Sequence, residues 1–173
     1  MKIVIIGYSG SGKSTLAKTL GINYNIPVLH LDSVNFLSGW KVREQKETDE
    51  IVKKFIEEND SWIIDGNYHK IAKERFELAD KIIFLNYNRF FCLKSVVNRY
   101  KENIGKTRSD MAAGCEEKLD FKFLYWVFMK GRSKTRRERF KNIVKNHKNA
   151  IVFKNRKQLY KYYNENNIKY KIC

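Results

Sequence analysis

Two rhythms of apolar and polar positions alternate along the chain. Short β-branched and apolar runs at 2–6, 28–31, 61–64, 81–85 and 150–153 have the length and composition of strands, and a further short one is expected at 169–172. Between them, apolar residues recur at helical spacing over 13–20, 48–58, 70–78 and 90–102, with one or two helices between 117 and 145. A last helix is expected over 156–164, where Leu159, Tyr162 and Tyr163 share a face. Strands alternating with helices predict βαβ units and a mainly parallel sheet. The stretch 121–129 is apolar almost all round, which predicts a helix buried against that sheet rather than a stacking surface for bases. Segments 33–46 and 103–116 break the alternation: they are polar, contain glycine and have weak periodicity. Long loops of this kind in compact domains serve as lids or binding loops, with ordinary surface loops as the alternative.

Composition narrows the class. The 173 residues suit one domain, and 43% apolar content with 14% aromatics is that of a chain with a packed core. The longest apolar run is far below membrane-spanning length and the N-terminus runs straight into a strand, so a cytoplasmic protein is expected. Cys92, Cys115 and Cys173 are odd in number and lack ligand spacing, which predicts free thiols and neither a disulfide framework nor a zinc site. The net charge of +16 is concentrated in the second half. It suits solvated helix faces, phosphorylated substrates or a nucleic-acid surface.

Directly after the first strand, Gly7-Tyr8-Ser9-Gly10-Ser11-Gly12-Lys13-Ser14 fits the pattern G-x-x-x-x-G-K-[ST]. Glycines let the backbone fold around phosphates with its N–H groups inward, and the following helix adds the positive end of its dipole. Lys13 is expected to reach the β- and γ-phosphates, and the Ser14 hydroxyl to ligate Mg²⁺.

Three further groups can carry chemistry. Asp32 closes the second strand run, where a carboxylate can orient an acceptor hydroxyl or take its proton; a helix cap is the alternative. Asp65 closes the third, as an acid that would hold Mg²⁺ through water, with Gly66, Asn67 and Tyr68 turning the chain toward the acceptor. Arginines crowd the later half, and Arg99 and Arg108, which flank the expected lid, are the first candidates to close over the transferring group. His30, inside a strand run, reads as a core or supporting residue.

On these residues the sequence resembles the adenylate-kinase-like phosphate-loop kinases, and within them the small bacterial proteins of the DNA topology modulation family. The likeness is carried by residues 5–17, by Pro27-Val28-Leu29-His30-Leu31-Asp32, by Trp62-Ile63-Ile64-Asp65-Gly66-Asn67-Tyr68 and by Gly105-Lys106-Thr107-Arg108-Ser109-Asp110-Met111 with Gly114-Cys115. It implies a three-layer α/β/α phosphate-loop NTPase fold, a central five-stranded parallel sheet of order 2-3-1-4-5, a mobile lid, and ATP with Mg²⁺. ATP would be cradled by Gly7, Ser9, Gly10, Ser11, Gly12, Lys13, Ser14 and Thr15, with Asn155 and Arg156 near the adenine. Ser109 stands where the family pattern places a proline after the lid arginine, and 85–89 lacks the expected Asp and Pro.

The residues together predict a kinase acting on a nucleoside, nucleotide or other small acceptor, working as a monomer or homodimer. A nucleic-acid-binding ATPase, a topology modulator or a polynucleotide-end kinase is the alternative. A guanine-specific switch is disfavoured because no N-K-x-D motif is present.

Overall fold

The computed structural model describes residues 1–170. Strands β1 (Lys2–Gly7), β2 (Val28–His30), β5 (Trp62–Asp65), β6 (Lys81–Leu85) and β7 (Ala150–Phe153) form one sheet in the order β2-β5-β1-β6-β7, and every neighbouring pair is parallel. Counted in chain order within this sheet, that is the expected 2-3-1-4-5. A separate two-stranded antiparallel hairpin, β3 (Phe36–Leu37) and β4 (Lys41–Val42), stands outside it.

The helices are α1 (Lys13–Tyr24), α2 (Leu31–Asn35), α3 (Gln45–Glu58), α4 (Arg75–Leu78), α5 (Arg89–Glu102), α6 (Phe121–Phe128), α7 (Lys134–Asn146) and α8 (Arg156–Glu165). They flank the sheet, giving the three-layer α/β/α arrangement: α1 packs on β5, β1 and β2, α7 on β6 and β7, and α8 on β7. The central strands read as continuous apolar runs because both faces are covered. Residues 3–6 of β1 and Trp62, Ile63 and Ile64 of β5 are fully buried.

Four expectations need correction. The helix expected over 70–78 shrinks to Arg75–Leu78, because 68–74 is held instead in turns by side-chain bonds to its backbone. Segment 33–46 contains α2, the hairpin and a 3₁₀ turn at Ser38–Trp40 rather than an unstructured loop. Lys169 and Tyr170 are not in a strand, and Lys171 and Ile172 lie outside the described residues. The apolar helix α6 is not buried against the sheet either: it packs on α5 and a 3₁₀ turn at Lys130–Arg132, buries only Val127 fully, and leaves Phe121 82% exposed. Its mean hydropathy is high on every side, so periodicity had no polar face from which to read its orientation.

Among the described residues Cys92 and Cys115 are free and buried; Cys173 lies outside them. No helix among the described residues is long and apolar enough to cross a membrane.

Candidate functional site

The central strand β1 ends at Gly7 and delivers the loop 8–12 to the start of α1. Gly10 has φ +78°, and a Cβ there would lie 2.3 Å from the Cys92 carbonyl oxygen, so only glycine lets the loop pack on α5. Tyr8 anchors the loop from below, with its ring against Phe84 and Phe140 and the Arg132 guanidinium 3.7 Å above it. The first turn of α1 has neither a side-chain cap nor an acidic residue. Its orphan N–H groups therefore point into the loop without a protein acceptor, the arrangement that binds anions. Among the described residues Ser11 Oγ is buried with no partner, and Lys13 Nζ makes one hydrogen bond, a long one of 3.3 Å to the Tyr8 carbonyl. Unspent donors along one loop and helix start fit a polyphosphate. Ser9 is partly buried, and Thr15 is exposed in the first turn of α1.

Neighbouring strand ends bring the acids to this loop. Parallel register places Asp65 level with both Ile5 and His30, and the His30 ring meets the Asp65 carboxylate at 2.7 Å through Nδ1. One Asp65 oxygen is thus committed to His30, which fixes the carboxylate's orientation. Asp32 does not end a strand as the sequence suggests: β2 stops at His30, Leu31 is fully buried, and Asp32 sits in the first turn of α2. Its Oδ1 accepts a 2.6 Å hydrogen bond from the Tyr68 hydroxyl, so the two expected acceptor-side residues do meet. Burial, reinforced by the Asp32 charge, raises the Tyr68 pKa and keeps the phenol protonated as a donor.

Gly66 and Asn67 differ from the expected acceptor contacts. At Gly66, φ +140°, a Cβ would strike the Leu31 side chain at 2.7 Å, so the position serves close packing. Both polar atoms of the Asn67 amide are spent on Gly7: Oδ1 accepts from its N–H at 3.0 Å and Nδ2 donates to its carbonyl at 2.6 Å. Asn67 ties the β5 loop to the root of the phosphate loop.

Lys13 shows how these parts converge. Its pKa is lowered mainly by desolvation; the charges of Asp65 and Asp32 partly oppose this, and Arg99 adds to it. Residues 13, 32, 65 and 99 therefore share one electrostatic neighbourhood.

Segment 103–116 lies over this group as a loop closed by a Thr107–Glu116 bridge. It is packed down by three contacts to the β3–β4 region: Gly39 N–H donates to the Gly114 carbonyl at 3.0 Å, Trp40 Nε1 to Glu116 O at 2.9 Å, and Cys115 Sγ to Leu37 O at 3.2 Å. Segments 33–46 and 103–116 are thus joined into one roof. On the opposite flank Lys18 of α1 donates to Ser109 Oγ at 2.7 Å and pairs with Asp110 at 3.7 Å. Asp110 is buried, yet Arg108, the Ser14 hydroxyl and Lys18 outweigh desolvation and hold its carboxyl below the ordinary range.

Arg99, near the end of α5, and Arg108, in the loop that follows it, meet on Glu117. Asp110 lies in the motif 105–111 that carries the resemblance, whereas Glu117 has no prior signal in the sequence. Arg75 was also unforeseen: fully buried, it donates to the carbonyls of Tyr68 at 2.7 Å, Ala72 at 3.1 Å and Ile71, fixing the backbone that carries Tyr68. Burial lowers its pKa to about 10, so it stays charged at neutral pH.

The segment for which the resemblance implies adenine contact follows β7. Asn155 caps α8 by accepting from Gln158 N–H at 3.0 Å, and the Arg156 guanidinium lies 5.2 Å from the Phe91 ring centroid; both residues are exposed. Two of the six cations of α7 are engaged internally: Arg136 lies over Trp126 and Arg139 donates to His69 Nδ1 at 2.9 Å.

No protein-family model matches the chain, and no curated protein does. The narrower likeness to topology modulation proteins therefore rests on the motifs alone. Solved structures do match in fold. Deoxyadenosine kinase from M. mycoides, solved with dCMP and dCDP, superposes with a TM-score of 0.55 at 16% identity, over 98% of this chain and 100% of that one. Shikimate kinase from Bacteroides thetaiotaomicron gives 0.52 at 16% identity over 95% of each chain. A kinase from Chloroflexus aurantiacus, assigned as such by inference, gives 0.53 at 10% identity over 95% of this chain and 97% of that one. The chain has the fold of the small phosphate-loop kinases.

Proposed function

We propose that the protein is an ATP-dependent kinase that transfers a phosphoryl group to a small acceptor, a nucleoside, a nucleotide or a comparable metabolite. One arrangement carries this reading: Asp65, level with Ile5 in the sheet register at the root of the phosphate loop, Asp32, held by the Tyr68 hydroxyl, and Arg99 all act electrostatically on Lys13. A binding loop alone needs none of the three; phosphoryl transfer uses each.

The uncapped first turn of α1, the buried Ser11 hydroxyl and Lys13 fit the phosphates of ATP. Ser14 and Asp65 would hold Mg²⁺, which supplies charge neutralisation at the transferring group. The acceptor would lie beside Asp32 and Tyr68. Asp32 Oδ2, with Oδ1 already held by Tyr68, takes the acceptor hydroxyl's proton as that oxygen bonds to the γ-phosphorus and the bond to ADP breaks. Arg99 and Arg108 stabilise the charge on the equatorial oxygens. The segment 153–156 would border the adenine.

The test is a screen of purified protein with labelled ATP against nucleosides, nucleotides and small phosphorylated and hydroxylated metabolites. At least one acceptor is expected to raise ATP turnover in wild type and not in Lys13→Met. Equal turnover by both proteins with every acceptor defeats the reading. The same variant has a thermodynamic signature. The folded-state pKa of Lys13 lies below its unfolded value near 10.4, so burying the ammonium costs stability below the folded pKa, and that cost fades as pH rises toward the unfolded pKa. Nucleotide-free Lys13→Met is therefore expected to melt above wild type at neutral pH, with the gap closing in alkaline buffer. ATP is expected to stabilise wild type alone.

A further inference from the structure

Arg99 and Arg108 approach each other closely enough that, after burial, the Arg108 charge is the largest influence lowering the Arg99 pKa. Two guanidinium groups at that separation repel, so something must hold them. The holder is Glu117, whose side chain is 3% exposed, whereas the arginine side chains are 27% and 15% exposed. The bonding is divided by atom. Glu117 Oε1 accepts from Arg99 Nε at 2.9 Å and Nη2 at 2.5 Å; Oε2 accepts from Arg108 Nε at 2.6 Å. Arg108 Nη1 donates to Asp110 Oδ2 at 2.6 Å. Arg99 thus has one edge committed to Glu117, while Arg108 is shared between the buried carboxylates of Glu117 and Asp110, and Arg99 Nη1 and Arg108 Nη2 retain no partner among the described residues.

We infer that Glu117 is a positioning residue that joins Arg99 and Arg108 into one two-pronged cation and turns their uncommitted Nη groups toward the transferring phosphoryl group. The inference rests on the kinase reading and assigns a residue that touches neither ATP nor acceptor. Its chemical basis is the fork geometry of arginine, which can bond a carboxylate on one edge while presenting the other edge to a phosphate. Glu117 also sets where closure occurs, since Arg99 belongs to α5 and Arg108 to the loop above it: the carboxylate pulls the loop onto the helix. The Glu117 backbone N–H donates to Lys106 O at 3.2 Å, so the same residue closes the loop's base.

A residue that only braces the loop and one that orients the arginines predict different results. Glu117→Gln keeps the shape but loses the charge and one acceptor. On this inference it lowers kcat for ATP turnover by about 10²-fold, the scale of a misplaced catalytic group, with KM for ATP within about threefold of wild type. The decisive measurement is chemical rescue. Guanidinium ion added to Arg108→Ala fills the vacated place beside the Glu117 carboxylate and restores at least tenfold of the lost turnover, about 1.4 kcal/mol in barrier. In the double variant with Glu117→Gln the same ion restores nothing. Rescue that is equal in both backgrounds overturns the inference, as does Glu117→Gln with unchanged kcat or with kcat and KM altered in proportion to a lowered Tm. Glu117→Asp, which keeps the charge but shortens the reach, separates a folding defect: it is expected to melt like wild type and to share the kcat loss, and full activity in it also overturns the inference. Should wild type turn over no more ATP than Lys13→Met, the kinase reading fails and this inference fails with it. Should wild type be active and Glu117→Gln equally so, only the inference fails.

Discussion

The phosphate loop and the roof above it are held by different physics. The loop at 7–14 is short-range: an apolar strand, glycines where the chain must turn, and a helix start follow one another directly in the chain, anchored by Tyr8 in the core and by Asn67 on Gly7. The roof is long-range, built from carbonyl contacts between 37–40 and 114–116 and from ion pairs of Glu117 and Asp110 with arginines up to 18 positions away. A loop tied to fully buried strands stays formed, whereas a roof tied by hydrogen bonds and charge pairs has little apolar burial to lose on opening. That difference suits a site whose donor half is rigid and whose cover must admit substrates.

One substitution made in each region tests the contrast. Gly10→Ala is expected to have the largest effect. The new Cβ meets a backbone carbonyl of α5 at 2.3 Å and the Val96 side chain at 2.8 Å, neither free to move without repacking the helix. Overpacking of this kind costs about 1–3 kcal/mol, with a further 1–2 kcal/mol for a non-glycine residue at positive φ. Denaturant unfolding is expected to show this loss together with loss of ATP binding; a Gly10→Ala protein with wild-type stability would mean that the loop does not pack as described.

Gly114→Ala is the matching change in the roof. It has φ +73° and meets Ser38 Oγ at 2.2 Å, but that hydroxyl can rotate away, leaving mainly the backbone strain of about 1–2 kcal/mol. The cost falls on closure and not on the core. Trp40, which donates to Glu116 O, reports it: its fluorescence is expected to shift to the red and 103–116 to exchange amide protons faster, with the global unfolding midpoint nearly unchanged. Equal loss of global stability would show roof and core to be one cooperative unit.

Tyr68→Phe, at the junction of the two regions, should have the smallest effect on stability. It removes the 2.6 Å bond to Asp32 and is expected to cost about 1 kcal/mol. Once an acceptor is known, its KM should change more than that of ATP, because Asp32 loses the group that orients it. An ATP effect as large as the acceptor effect would place Tyr68 on the wrong side of the transfer.

The two regions also differ in how far they could be read in advance. The phosphate loop is legible because every requirement is met by adjacent residues: strand, turn and helix start follow in order from 2 to 20. The same holds for the strands and hence for the parallel sheet. Asp32 and Asp65 were legible as acids near strand ends, although the turn into α2 displaces Asp32 from the strand itself. His30 beside Asp65 follows from register, which no local pattern states. The roof was visible only as two segments that resist alternation; nothing in either says that they touch.

Local rules therefore determined what could be decided within about one helix length: element type, the conformations that demand glycine, and a site for phosphate. Tertiary structure decided which distant groups share that site, because charge pairing acts through space and is blind to chain separation. It tied Asn67 to Gly7, placed Arg75 under Tyr68, left Phe121 of α6 exposed, and gave Arg99 and Arg108 a common carboxylate. A buried carboxylate is tolerated only where cations meet it. Glu117 became legible once the fold had brought two of them together.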